Sequence, residues 1–136
     1  MADEMAQLVE RHWKAWNDQD LVGILACFAD DGVMEDAALE ASFDGKEGIR
    51  AMALRVFAAI PDLEWKPQRV CVGESTIAVE WTMTGTHHGD LPLIGPGTGK
   101  PFSVDGMTIE EIRNGLIQRH RDYWNVSTYQ RQVGLV

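Results

Sequence analysis

"RNGLIQRHRDYWN", residues 113–125, decides how the chain is read. Asn114-Gly115 is a dipeptide that favours the primed turns whose twist matches paired strands. "FSVDGMTIEEI" (102–112) and "LIQRHRDYWN" (116–125) are therefore predicted to form a hairpin. Side chains alternate along a strand, which places His120, Asp122 and Trp124 on one face and Arg121, Tyr123 and Asn125 on the other. A face that only fills a core has no use for an aspartate between aromatic rings, so this face suits a pocket.

Upstream of the hairpin the period is also two. Leu63, Trp65, Arg69 and Cys71 alternate with Glu64, Lys66 and Val70, and "TIAVEWTMTGTHH" (76–88) is long and rich in strand formers. The first sixty residues have the helical period instead. Met5, Leu8, Val9, Trp13 and Trp16 form one stripe with His12 on it; Leu21, Ile24, Leu25 and Phe28 form a second after an Asp20 N-cap. Ile49, Met52, Val56, Phe57 and Ile60 form a third, closed by Pro61. "VMED" (33–36) reads as a short extended piece and "FDGKEG" (43–48) as a turn. "GDLPLIGPGTGK" (89–100) is the one substantial loop, a candidate lid; Pro101 after Gly99-Lys100 rules out a phosphate-binding loop, which needs Ser or Thr there.

Helices followed by a meander of strands predict the α+β class. The expected architecture is an open-ended cone: a strongly bent sheet folded around the three N-terminal helices, with a ligand cavity inside. At 136 residues, a single domain over 1–136 is expected.

With 21 acidic residues against 12 lysines and arginines the formal charge is -9, which repels a nucleic acid backbone. No apolar run approaches the length of a membrane span, and Met1–Ala6 has neither a basic start nor an apolar run, so no secretory signal is expected and the location is read as cytoplasmic. Cys27 and Cys71 have no close-spaced partner, so neither a disulfide framework nor a cysteine metal site is suggested; both are read as buried fillers.

Asp122 is the leading chemical candidate. A carboxyl group beside Trp124 in an apolar cone is disfavoured in its charged form, and its pKa is expected to rise toward the working pH. His120 lies roughly 7 Å away on the same face, within reach of one substrate or water. Alternatively, Asp122 pairs with Arg119 or Arg121 at a sheet rim. Asp36 shares a face with Met34 and is a second candidate base, unless Asp30, Asp31, Glu35 and Asp36 form a solvated acidic loop. His12 is either a buried imidazole satisfied by a backbone or carboxylate partner, or a donor lining the pocket. His87 and His88 point to opposite faces of a strand and cannot pair on a metal, and no metal is expected. Of the five tryptophans, Trp13, Trp16, Trp81 and Trp124 are carried as candidate substrate contacts beside a core role, since an indole lining the cone suits a flat polycyclic ligand.

"HWKAWNDQD", "ILACFADDGVMED", "FDGKEGIRAM", "GTHHGDL", "PGTGKPFSVDGMTI" and "RNGLIQRHRDYWN", in that order and covering nearly the whole chain, resemble the SnoaL-like polyketide cyclases of the nuclear transport factor superfamily. The resemblance implies a cone-shaped α+β barrel of a strongly curved antiparallel sheet wrapped around three N-terminal helices, a homodimer or higher homo-oligomer, and no cofactor or metal. It also implies that Asp122 is the general acid/base of an intramolecular aldol closure. Limonene epoxide hydrolase resembles the "RDY" region, but its further charged residues fall at Trp81 and Met83 here. Steroid isomerases place an aspartate where Asp36 falls and a tyrosine where His12 falls. The resemblance also implies a histidine on the strand before the last hairpin; Asp105 stands there instead and is carried as a substrate-site residue, either a second carboxylate that raises the pKa of Asp122 further or the mark of a different reaction. The expected activity is cofactor-free ring closure of a small hydrophobic or polycyclic substrate, with Asp122 as base and His120 or His12 polarising the acceptor carbonyl. The alternatives are proton transfer on a small enone by Asp36, and a non-catalytic ligand-binding or dimerisation module.

Overall fold

The computed structural model describes residues 2–136; Met1, part of the N-terminal stretch read above, lies outside them. The chain runs α1 (Ala2–Asn17), α2 (Leu21–Ala26), β1 (Phe28–Asp36), β2 (Ala41–Asp44), α3 (Gly45–Ala59), β3 (Glu64–Val72), β4 (Thr76–Thr86), β5 (Pro101–Arg113), β6 (Leu116–Trp124) and α4 (Val126–Gln132). The α+β class is as expected. Six strands in the order β2-β1-β6-β5-β4-β3 make one curved sheet that leaves β2 and β3 as free edges, so the cone is not closed into a barrel. The sheet is also not purely antiparallel, because β1 and β6 run parallel.

Helix α1 buries Met5, Leu8, Val9, Trp13, Trp16 and His12, the stripe its spacing dictates. Asp3 and Glu4 in its first turn and Lys14 in its last suit the helix dipole. Asp20 caps α2 by accepting a bond from Gly23 N–H at 3.0 Å. Asn17 then clasps β3 to the end of α1: its amide donates to Trp65 O (2.9 Å) and its oxygen accepts from Trp65 N (2.7 Å). This satisfies two backbone groups on an edge strand that has no outer neighbour. Asn114 and Gly115 both have positive φ (55° and 75°), as the predicted primed turn requires.

Local expectations also needed correction. Helix α2 stops at Ala26, and Phe28 opens the nine-residue β1 that absorbs "VMED". The presumed turn from Phe43 contributes Phe43 and Asp44 to β2, which pairs with β1. A fourth helix follows Asn125, whose side chain caps it by accepting from Thr128 N–H at 3.2 Å. Cys27 is buried, but Cys71 is exposed, because the bulge between Pro67 and Arg69 shifts the alternation of β3 and sets Cys71 opposite Ala78 on the outer face of the sheet.

Gly106 makes room for Trp81. A Cβ at that position would stand 2.2 Å from the indole ring, so Gly106→Ala is expected to displace it and destabilise the fold by about 1–3 kcal/mol. A lowered urea midpoint at unchanged slope would show this.

Candidate acid/base site

The parallel register of β1 and β6 sets Asp36 opposite Asp122 and Met34 opposite His120. Neighbouring strands lie about 4.8 Å apart, so the two aspartates are side by side on the concave face. Both line a cavity of about 160 Å³ whose wall is otherwise almost entirely apolar, with Trp16, Trp65, Trp81 and Trp124 among its rings. Asp36 Oδ2 accepts a bond from Trp124 Nε1–H at 2.8 Å, and its Oδ1 accepts from Leu39 N–H at 3.0 Å. Burial pushes the Asp36 carboxyl above its usual range against the pull of these bonds, and the Asp122 charge beside it adds to the rise.

Asp122 is held from behind by a chain of bonds whose directions can be assigned. An indole N–H can only donate, so Trp81 Nε1–H donates to Thr108 Oγ1 (2.8 Å), which leaves the hydroxyl to donate to Asp122 Oδ1 (2.5 Å). His120 Nε2 meets the same Oδ1 at 2.9 Å, and His120 Nδ1 meets Glu110 Oε2 at 2.7 Å. His12 Nδ1 lies 3.2 Å from that Glu110 oxygen, off the line of a full hydrogen bond, and Trp16 Nε1–H donates to His12 Nε2 at 3.0 Å. Asp122 Oδ1 thus receives two bonds, while its residue forms part of the cavity wall.

Glu110 and His120 are a coupled buried pair. Burial alone would raise the Glu110 carboxyl, but the two imidazoles beside it outweigh this and hold it at about 2. Burial alone would lower His120, yet Asp122 and Glu110 together carry it up to about 10. The depressed carboxylate contributes stability above its ordinary value of 4.5 and loses it as pH falls toward 2. The raised imidazolium contributes fully below 6.5 and loses its contribution as pH rises through 10. Melting temperature is therefore expected to be highest between pH 4.5 and 6.5 and to fall on both sides, as melting curves across the pH range would show.

Ligand atoms of His12, Glu110 and His120 lie within 4.8 Å of one another, and these are residue types that bind divalent metals. The hydrogen bonding argues against that use. Trp16 N–H occupies the Nε2 lone pair of His12, so the imidazole proton sits on Nδ1, the atom a metal would need.

The sequence-predicted residues divide into three groups. Asp36, Asp122, Trp16, Trp81 and Trp124 come together around the cavity. His120, His12 and Trp13 are buried behind it: both His120 nitrogens are engaged, His12 accepts from Trp16 while its Nδ1 lies against Glu110 without a full hydrogen bond, and Trp13 packs on Trp65 with centroids 5.3 Å apart. Asp105 is the correction. It sits on the outer face, where it accepts a bond from Thr82 at 2.7 Å, because its parity in β5 is opposite to that of Val104 and Thr108. The rim pairing of Asp122 does not occur either, since Arg119 and Arg121 reach Glu35 on the outer side at 2.6 and 3.4 Å.

Thr108 and Glu110 are absent from the sequence-based expectations. Period-two counting from Val104 puts both on the inward face, so the signal was present in "VDGMTIEEI". The loop after β4 meets the cavity through Leu91 and Ile94. It is held at its base by His87, whose ring nitrogens meet Tyr129 OH (2.8 Å) and Pro96 O (2.9 Å).

A curved α+β sheet whose concave face carries two adjacent carboxylates in an apolar cavity defines a small-molecule pocket with acid/base groups. The chain belongs to the SnoaL-like domain family, whose model matches residues 9–120. No curated protein matches it by sequence. Among solved structures it is similar to TsrD from Streptomyces laurentii, with 26% identity, TM-score 0.87, and coverage of 100% of this chain and 98% of that one. A proposed SnoaL-like polyketide cyclase from Jannaschia sp. CCS1 gives 17% identity, TM-score 0.88, and coverage of 99% and 94%. TerC, co-crystallised with polyporic acid, gives 16% identity, TM-score 0.81, and coverage of 96% and 98%.

Proposed function

We propose that the protein is a cofactor-free acid/base enzyme of the cyclase type, closing a ring by intramolecular aldol addition within a small hydrophobic or polycyclic substrate. The observation that carries this reading is Asp122: one carboxylate oxygen is pinned by Thr108 and His120, and the residue borders an apolar cavity. Asp122 removes a proton from carbon between two carbonyls, and those carbonyls delocalise the resulting enolate. The enolate carbon attacks a second carbonyl, and the nascent alkoxide is protonated. Asp36 is the acid beside it, since its raised pKa favours a form that can donate. The tryptophans hold the chain folded and exclude water.

The test is incubation with a poly-β-carbonyl chain, following ring closure by absorbance and mass. Ring-closed product supports the reading. Tight binding, seen as quenched tryptophan fluorescence, with no conversion would instead select a ligand-binding module. Steroid-isomerase-like transfer is the second catalytic reading, favoured by the pocket position of Asp36; it requires activity to depend on Asp36 and not on Asp122.

Self-association as a homodimer or higher oligomer fits the outer sheet face, where the cross-strand neighbours Met107 and Tyr123 are exposed. No helix among the described residues is long and apolar enough to cross a membrane. A cytoplasmic location without nucleic acid partners accords with this and with the acidic charge.

A further inference from the structure

Glu110 is fully buried, does not line the cavity, and is not needed as a reactant by the chemistry above. A carboxylate in that position is costly unless paired, and one of its oxygens, Oε1, has no partner among the described residues. An apolar side chain would fill the space at less cost. Its Oε2, however, meets the far nitrogen of His120, whose near nitrogen meets the proposed base.

We propose that Glu110 is the positioning residue of the site: by taking the Nδ1 proton of His120 as a hydrogen bond, it keeps Nε2–H directed at Asp122 Oδ1 and so leaves the other Asp122 oxygen to act on substrate. The inference rests on the acid/base reading of Asp122, but its first test does not need substrate. A neutral imidazole carries one proton and cannot donate to both carboxylates, so His120 between Glu110 and Asp122 has the bonding pattern of an imidazolium. Its raised pKa agrees. The titratable groups facing it are Glu110 from β5, Asp122 from β6, and His12 from α1, whose ring stands edge-on at 5.4 Å between centroids. Trp13 and Phe28 close the remaining sides at 6.4 and 6.2 Å. The carboxylate-imidazole arrangement resembles the way buried acids fix tautomer and orientation in other sites, here with a second carboxylate as the working end.

The experiment is nitrogen NMR of the His120 ring against pH in the intact protein, in wild type, Glu110→Gln and Glu110→Asp. Wild type is expected to keep both ring nitrogens protonated through neutral pH. Glu110→Gln is expected to lose one proton at least about one pH unit lower, and Glu110→Asp to recover part of the difference. Where turnover is measurable, the alkaline limb of kcat should move down with that titration while KM stays within about twofold. A wild-type His120 with one bare nitrogen at neutral pH would overturn the proposal, as would an unchanged titration in both variants that fold. If turnover is undetectable on any substrate while the titration moves as expected, positioning stands and the enzymatic reading fails.

Discussion

Asp122→Asn is expected to fold and to lose about 10²–10⁴-fold in turnover, the usual contribution of a positioned general base. The fold should survive because the amide oxygen can still accept from Thr108 and His120, the two donors that Oδ1 now receives. Only the charge and the capacity to take a proton are removed. Asp36→Asn is expected to lose less in turnover, since the amide can still donate a hydrogen bond to the alkoxide, but also to lose some stability, because it keeps only one of the bonds that Asp36 accepts from Trp124 and Leu39. The reverse ranking, with Asp36→Asn dead and Asp122→Asn active, would select the isomerase-like reading.

The largest stability effect should come from His120→Ala. Glu110 and Asp122 are 0% and 7% exposed, and His120 is the cation between them. Removing one member of a buried ion network leaves charge uncompensated and typically costs about 3–5 kcal/mol. A large drop in urea midpoint near neutral pH is expected, partly recovered in acid, where protonation relieves the two carboxyl groups. A variant as stable as wild type at neutral pH would mean the three groups do not form a charged network.

The helices and the hairpin were legible because each rests on local pattern: a 3.6-residue stripe for α1, and Asn114-Gly115 between alternating runs for β5 and β6. The face of β6 was legible too, and with it the shared orientation of His120, Asp122 and Trp124. What the sequence hid was register. A regular hairpin closed by Asn114-Gly115 would set Glu110 opposite Arg119, yet the observed pairing moves from Ile112↔Ile117 to Glu111↔Arg119, leaving Gln118 as one extra residue in β6. That bulge brings Glu110 opposite His120 and Thr108 opposite Asp122. A one-residue slip would have turned the set to opposite faces, and no local signal marks it. The placing of Asp105 rested on the resemblance and not on parity: it alternates with Val104 along β5 and pairs with Thr82 on the outer face. The neighbourhood of Asp36 and Asp122 was hidden for another reason: it arises from parallel pairing between strands 86 residues apart, which hydrophobic period cannot report.

The most direct test of the central claim is hydrogen–deuterium exchange at the carbon between the carbonyls of an aryl 1,3-diketone, followed by proton NMR in deuterated buffer. The diketone should first be shown to bind by quenching of tryptophan fluorescence. Proton removal by Asp122 predicts exchange faster than in buffer alone with the wild-type protein, and exchange at the buffer rate with Asp122→Asn. Bound diketone that exchanges no faster than in buffer, or an Asp122→Asn variant that matches wild type, would contradict it.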